Sequence, residues 1–295
     1  GPPRNPGRLT RTPGGSSSGS AAAIAAGMAD IALGTQTAGS VIRPASFCGV
    51  WGFKPTFGAA PAAGVKLIAP SLDTVGWFAR SADLIDVVHA ALTGNARAPF
   101  LDRPPRIQLV RTDQWETVDE DSRGALLEAA RRARNAGATV VDADLPQPMV
   151  GLADLHRIVH AFEAARSLAW ELDTHADQLS VSLREVLAWG ASIDAATHAD
   201  ALRQASIARL AEAELFGESD VVLTPATVGE APEGLEGTGD PRFSRLWTLL
   251  GWPSLSVPGL AGATGLPVGV QLVGRAGDDR TVVACGRWLG ELLTP

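Results

Sequence analysis

With 295 residues and 45% apolar content, the chain is long enough to bury a sizeable core. Its net charge of -7 and pI near 5.3 exclude the clustered positive surface that a nucleic-acid partner asks for. Two cysteines, Cys48 and Cys285, are too few for a disulfide framework, no run approaches the ~20 apolar residues of a membrane span, and no charged opening leads into an apolar signal segment, so a reducing, cytoplasmic setting is expected.

In chain order, the run GGSSSGS at 14–20 reads as a loop whose glycines permit conformations closed to bulkier residues, and the alanine-rich 21–26 continues it as a helix. Ile31, Ala32 and Leu33 predict a buried strand entering a tight, donor-rich turn that ends at Ser40, which makes Ser40 a candidate nucleophile. Residues 59–70, rich in Ala, Gly and Pro, read as irregular loop. Apolar residues at helical spacing from Leu84 to Leu92 predict a helix over 83–93, followed by a Pro-rich connector at 94–105.

A strand at 106–110, a helical pattern at 117–136 and a second strand at 138–143 form a strand, helix, strand unit. Such a unit implies a parallel pair with a crossover helix, so the fold class is α/β on sequence grounds alone. Neither strand is followed by a Gly-rich phosphate loop, which leaves a dinucleotide-binding reading unsupported. Residues 151–217 form a helical cover, expected as three helices broken near Asp173 and Gly190. Beyond it lie strand-like 220–223, a polar loop through Gly239, a short helix at 243–250, strands at 254–257 and 268–273, and a closing helix at 278–293.

Amide hydrolysis needs an activated oxygen nucleophile, a proton route to the leaving amine and donors for the oxyanion. The backbone amides of Thr37, Ala38, Gly39 and Ser40, on a turn of small residues, suit the last task. GGSSSGS followed by GTQTAGSVIRPASFCGVWGFKPT at 34–56 resembles the hallmark of the amidase signature family, whose members hydrolyse carboxamides with a serine, serine and lysine triad. SLDTVGWFARS at 71–81, WPSLSVPG and GLPVGVQLVG extend the resemblance to both ends of the chain. It implies a single domain over 1–295, a mixed β-sheet covered by helices on both faces and incomplete at its N-terminus.

The same resemblance maps the nucleophile to Ser40 and the proton-relay serine to Ser16, with a cis peptide at Gly15-Ser16 and no cofactor or metal. The implied partner is a small-molecule amide, with no nucleic acid and no membrane; a homo-oligomer is left open. The family's lysine belongs upstream of the first serine cluster, and Lys54 and Lys66, the two lysines here, do not fall at its spacing. The chain is therefore expected to be a fragment, inactive and poorly stable without that segment.

Competing readings exist for several residues. Gly15 to Gly19 also satisfies G-x-S-x-G, which would make Ser17 the nucleophile of an α/β-hydrolase elbow, yet the residues before it are no hydrophobic strand. His156, His160 and Glu163 share a helical face with metal-ligand spacing, but Arg157 stands where a zinc-protease motif needs glutamate. Asp73 and Arg80 are placed to pair and brace the loops. A glutamine-hydrolysing component of a tRNA-dependent amidotransferase, within the same family, is the alternative function; Gln36, Ala38 and the position of Arg43 depart from its usual pattern. A non-catalytic scaffold that keeps the fold is the third.

Overall fold

The computed structural model describes residues 1–294. Eight strands pair into one mixed sheet: β1 (Ile31–Gln36), β2 (Trp51–Lys54), β3 (Thr74–Ala79), β4 (Arg106–Val110), β5 (Thr139–Ala143), β6 (Val221–Pro225), β7 (Ser254–Val257) and β8 (Val270–Val273), in the spatial order β1-β3-β2-β7-β8-β6-β4-β5. Only β5, β4 and β6 run parallel, in the register Val140 to Ile107 to Val221; every other neighbour pair is antiparallel. The predicted strand, helix, strand unit is β4, the helix at Glu120–Asn135, and β5.

Among the described residues eleven helices cover both faces, as the resemblance implies: α1 (Ser18–Ala25), α2 (Ile42–Cys48), α3 (Ala82–Thr93), α4 (Glu120–Asn135), α5 (Leu152–Ser167), α6 (Ala169–His175), α7 (Val181–Ser192), α8 (Ala195–Arg209), α9 (Glu212–Phe216), α10 (Arg242–Leu250) and α11 (Asp279–Leu293). Strand alternation decides which core each residue joins. In β3, Trp77 enters the core shared with α3, α4 and α11, while Phe78 points to the opposite face and packs with Ala21, Ile24 and Ala45 of α1 and α2. Further along that second face, Val110, Val222 and Val273 meet α5, α8, α9 and α10. None of the described helices is long and apolar enough to cross a membrane.

Three expectations are corrected. Ile31 and Leu33 are 37% and 58% exposed, because β1 is an edge strand and one of its faces lacks a covering element. Asp73 and Arg80 do not pair: they flank the six-residue β3, about 23 Å apart at ~3.3 Å per residue, and Arg80 pairs with Asp30 instead. The helical cover holds five helices rather than three; breaks follow His175 and Ser192, close to the expected positions, with Gly190 itself in the last turn of α7.

Gly190 is a contact, not a stop. A Cβ there would lie 1.8 Å from the carbonyl oxygen of Ala161, so α5 and α7 cross too closely for any side chain. In an open helix Gly→Ala gains about 1 kcal/mol, whereas a forced separation of packed helices costs roughly 1–3 kcal/mol. Gly190→Ala is accordingly expected to lower the denaturant midpoint, and a raised midpoint would refute the close crossing.

Candidate active site

The site is assembled where β1 ends. Gln36, wholly buried, turns its side chain forward so that Oε1 accepts from the amides of Val41 (2.9 Å) and Ile42 (3.0 Å), while its Nε2 donates to Thr248 Oγ1 (3.1 Å). The chain between, Thr37 to Ser40, is thereby closed into a turn that leads directly into α2. An amide here performs the capping for which a carboxylate would also serve.

Every carbonyl of the first three turn residues is held from outside. Thr37 O accepts from His156 Nε2 at 2.7 Å, Ala38 O from Thr248 Oγ1 at 2.8 Å, and Gly39 O from the Arg43 amide at 3.0 Å. Asp73 accepts from Thr37 Oγ1 and from the amides of Ile68 (2.6 Å) and Ala69 (3.1 Å), pinning the turn to the 68–73 loop. In contrast, the amides of Thr37, Ala38, Gly39 and Ser40 donate to no protein group among the described residues. Four neighbouring donors with their carbonyls tied back are available to an incoming oxyanion.

The first serine cluster is locked onto the same helix. The Gly15-Ser16 peptide is cis, and the Gly15 carbonyl accepts from Arg43 Nη2 at 2.5 Å. Arg43 also donates to Gly239 O (2.6 Å) and Thr238 Oγ1 (3.1 Å), so one buried guanidinium joins the first cluster, α2 and the 226–241 loop. Burial lowers its pKa to about 10, with Asp240 opposing the shift, and it stays charged at neutral pH. Gly14, at φ +82°, has Pro44 Cα only 2.8 Å from where a Cβ would stand. That contact is why the cluster needs glycine there.

Ser40 is half-buried and Ser16 exposed; neither hydroxyl has a protein hydrogen-bond partner among the described residues. Ser16 opens on a groove of about 310 Å³ along the edge strand, lined by Ser17, Leu33, Thr35, Val65 and Val75. Ser17 is committed elsewhere: its Oγ lies 3.3 Å from both the carbonyl and the amide of Thr35. No strand precedes it, which removes the context a nucleophile elbow requires. Among the described residues neither lysine hydrogen-bonds to a serine of the two clusters. Lys54, fully buried, donates Nζ to Pro55 O at 2.8 Å and is pushed down to about 7 by burial, against the pull of Asp279; Lys66 pairs with Glu171 at 2.8 Å.

His156 gives its Nε2 to Thr37, and among the described residues no group of three or more His, Cys, Asp or Glu side chains is placed to hold a metal ion. A carbonyl oxygen only accepts, so the proton sits on Nε2. Burial first, then the neighbouring His160, lower its pKa to about 3 from the ordinary 6.5. The unfolded chain therefore binds a proton that the native state refuses between those values. Stability from this group is fully present above pH 6.5 and is lost as pH falls toward 3, with a slope of up to about 1.4 kcal/mol per pH unit. Comparing denaturation of the wild type and His156→Gln from pH 7 to 4 checks this: the wild type should lose stability more steeply, and equal slopes would contradict a neutral, buried imidazole.

The Amidase family model matches residues 1–283. The chain belongs to the amidase signature family. The A component of the glutamyl-tRNA(Gln) amidotransferase of Anaeromyxobacter sp. (strain K) is 34% identical over 345 residues, covering 100% of this chain and 69% of the relative. 2-Amino-5-chloromuconic acid deaminase of Comamonas testosteroni is 33% identical over 299 residues, covering 93% of this chain and 63% of that protein. Among solved structures, a crystal structure of an amidase superimposes with a TM-score of 0.90 at 31% identity, over 98% of this chain and 69% of the other. As an amidase-family chain, the protein has the fold of hydrolases that cleave C–N bonds of amides.

The residues that the sequence did not reveal are the holders of the turn: Gln36 as a cap, Asp73, His156, Thr248, and Arg43 as the tie to the Gly15 carbonyl. Gln36 and Arg43 carried a signal as departures inside the hallmark, and Asp73 as a loop brace whose expected partner was Arg80.

Proposed function

We propose that this protein hydrolyses a carboxamide through an acyl-enzyme on Ser40, with Ser16 relaying the proton and the amides of Thr37 to Ser40 holding the oxyanion. The observation that carries the reading is the turn itself, with four unpaired amides beside a serine hydroxyl and its carbonyls tied back by His156, Thr248 and the Arg43 amide. Ser40 Oγ attacks the amide carbon, its proton passes by way of Ser16 toward the departing ammonia or amine, and water then cleaves the ester. The base implied by the family is a lysine, and Lys54 and Lys66 have other partners. The groove along the open edge of β1 is where such a side chain would meet Ser16.

The test is acyl transfer to hydroxylamine. Incubation with simple amides and hydroxylamine should give hydroxamates together with ammonia, since an acyl-enzyme partitions between nucleophiles. Ammonia release without hydroxamate would argue for direct attack by water. A second reading, hydrolysis of glutamine within a tRNA-dependent amidotransferase, draws support from the 34% identity to the Anaeromyxobacter relative. L-glutamine preferred over every simple amide in the same assay would favour it.

A further inference from the structure

Beside the turn stand two polar side chains that no protein group hydrogen-bonds among the described residues. Helix α10 lays Pro241, Ser244 and Thr248 against the turn: a Cβ on Gly39 would stand 2.9 Å from Pro241 Cβ and 3.2 Å from Ser244 Oγ, and Thr248 Oγ1 reaches Ala38 O at 2.8 Å. Arg245 follows Pro241 by four residues and precedes Thr248 by three, so it belongs to that same side of the helix. From α5, one turn beyond the His156 that holds Thr37, His160 places its ring centre 6.0 Å from that of His156.

Neither the Arg245 guanidinium nor the His160 imidazole makes a hydrogen bond among the described residues. The carboxylate nearest Arg245 is Asp240, at 3.9 Å, beyond hydrogen-bond reach. Asp240 is already taken by Arg242, through the backbone amide at 2.9 Å and Nη2 at 2.6 Å. The Arg245 side chain is 23% exposed, so the guanidinium is largely covered yet has no protein acceptor within hydrogen-bond reach among the described residues. Asp73, the residue that anchors Thr37, and Glu163 favour the charged form of His160, and Arg245 opposes it. Arg157 of α5 adds further positive charge beside Arg245, offset in part by Asp154. Asp240 pairs with Arg242 and Asp154 with Arg157, which leaves the Arg245 guanidinium as a cation that no carboxylate hydrogen-bonds.

We infer that Arg245 and His160 form an anion subsite that receives a carboxylate carried by the amide substrate. A guanidinium presents paired donors that fit the two oxygens of a carboxylate, and the nearby imidazole supplies a further N–H. This deepens the hydrolase reading of the turn and rests on it. Arg245 selects and positions the substrate without touching the reacting atoms.

The experiment measures binding, not turnover, and uses Ser40→Ala protein so that no ligand is consumed. Calorimetry compares three amides of similar length: glutaramate with a free carboxylate, neutral pentanamide, and cationic 5-aminopentanamide. Glutaramate should bind at least about tenfold more tightly than pentanamide, the worth of one charge-assisted hydrogen-bonded pair, and 5-aminopentanamide more weakly than either. Adding Arg245→Gln should abolish the glutaramate preference, and Arg245→Lys should keep part of it. Equal affinities for all three amides would overturn the inference, as would a preference that survives Arg245→Gln. Should Arg245→Gln fail to fold, the three-ligand comparison with Arg245 in place decides alone. Hydroxamate formation without anion preference would remove this subsite and leave the hydrolase reading intact; anion preference without hydroxamate would leave the subsite and remove acyl transfer.

Discussion

Ser40→Ala is expected to lower amide turnover by ~10⁴-fold or more, the loss typical when a nucleophile that acts as part of a unit is removed. The fold should survive, because Ser40 Oγ supports nothing: it has no protein hydrogen-bond partner among the described residues, and the turn is closed by Gln36, His156, Thr248 and the Arg43 amide. A melting temperature equal to wild type together with lost ammonia release is the predicted pair of readings. Turnover within tenfold of wild type would mean that Ser40 forms no acyl-enzyme.

Ser16→Ala should slow turnover by roughly 10²-fold or more, the usual contribution of a positioned proton-transfer group. The loss should fall on kcat rather than KM, because Ser16 acts on the proton in flight and not on the bound amide. Its local structure does not depend on the hydroxyl: Arg43 holds the preceding Gly15 carbonyl, and Ser18 Oγ donates to the Gly14 carbonyl at 2.6 Å. A kcat within about twofold of wild type would remove Ser16 from the mechanism.

Much of the chain was legible from sequence. The two serine clusters, the parallel unit of β4, α4 and β5, and the closing helix follow from local composition and periodicity, which short-range sterics and burial enforce. Exposure of Ile31 and Leu33 was not legible, since an apolar run reads alike in a central and an edge strand and only the strand order separates them. Gly190 resembled a helix break because its reason is another helix: the carbonyl of Ala161 occupies the space of a side chain.

At the site the division is similar. The small residues of the turn announce themselves, whereas their anchors arrive from far along the chain: His156 lies 119 residues from Thr37, and Thr248 lies 210 from Ala38. No local pattern marks a histidine that will donate to a carbonyl over that separation. His156 and His160 looked like a ligand pair because helical spacing reports a shared face, not what each ring meets there.

The central claim, that Ser40 and not another serine of these clusters is the nucleophile, is tested most directly by labelling the wild-type protein with a serine-directed fluorophosphonate and locating the adduct by mass spectrometry. The account predicts a single adduct on Ser40, beside the four unpaired amides that would stabilise the phosphonyl oxygen. An adduct on Ser17, whose hydroxyl the structure commits to Thr35, would contradict it.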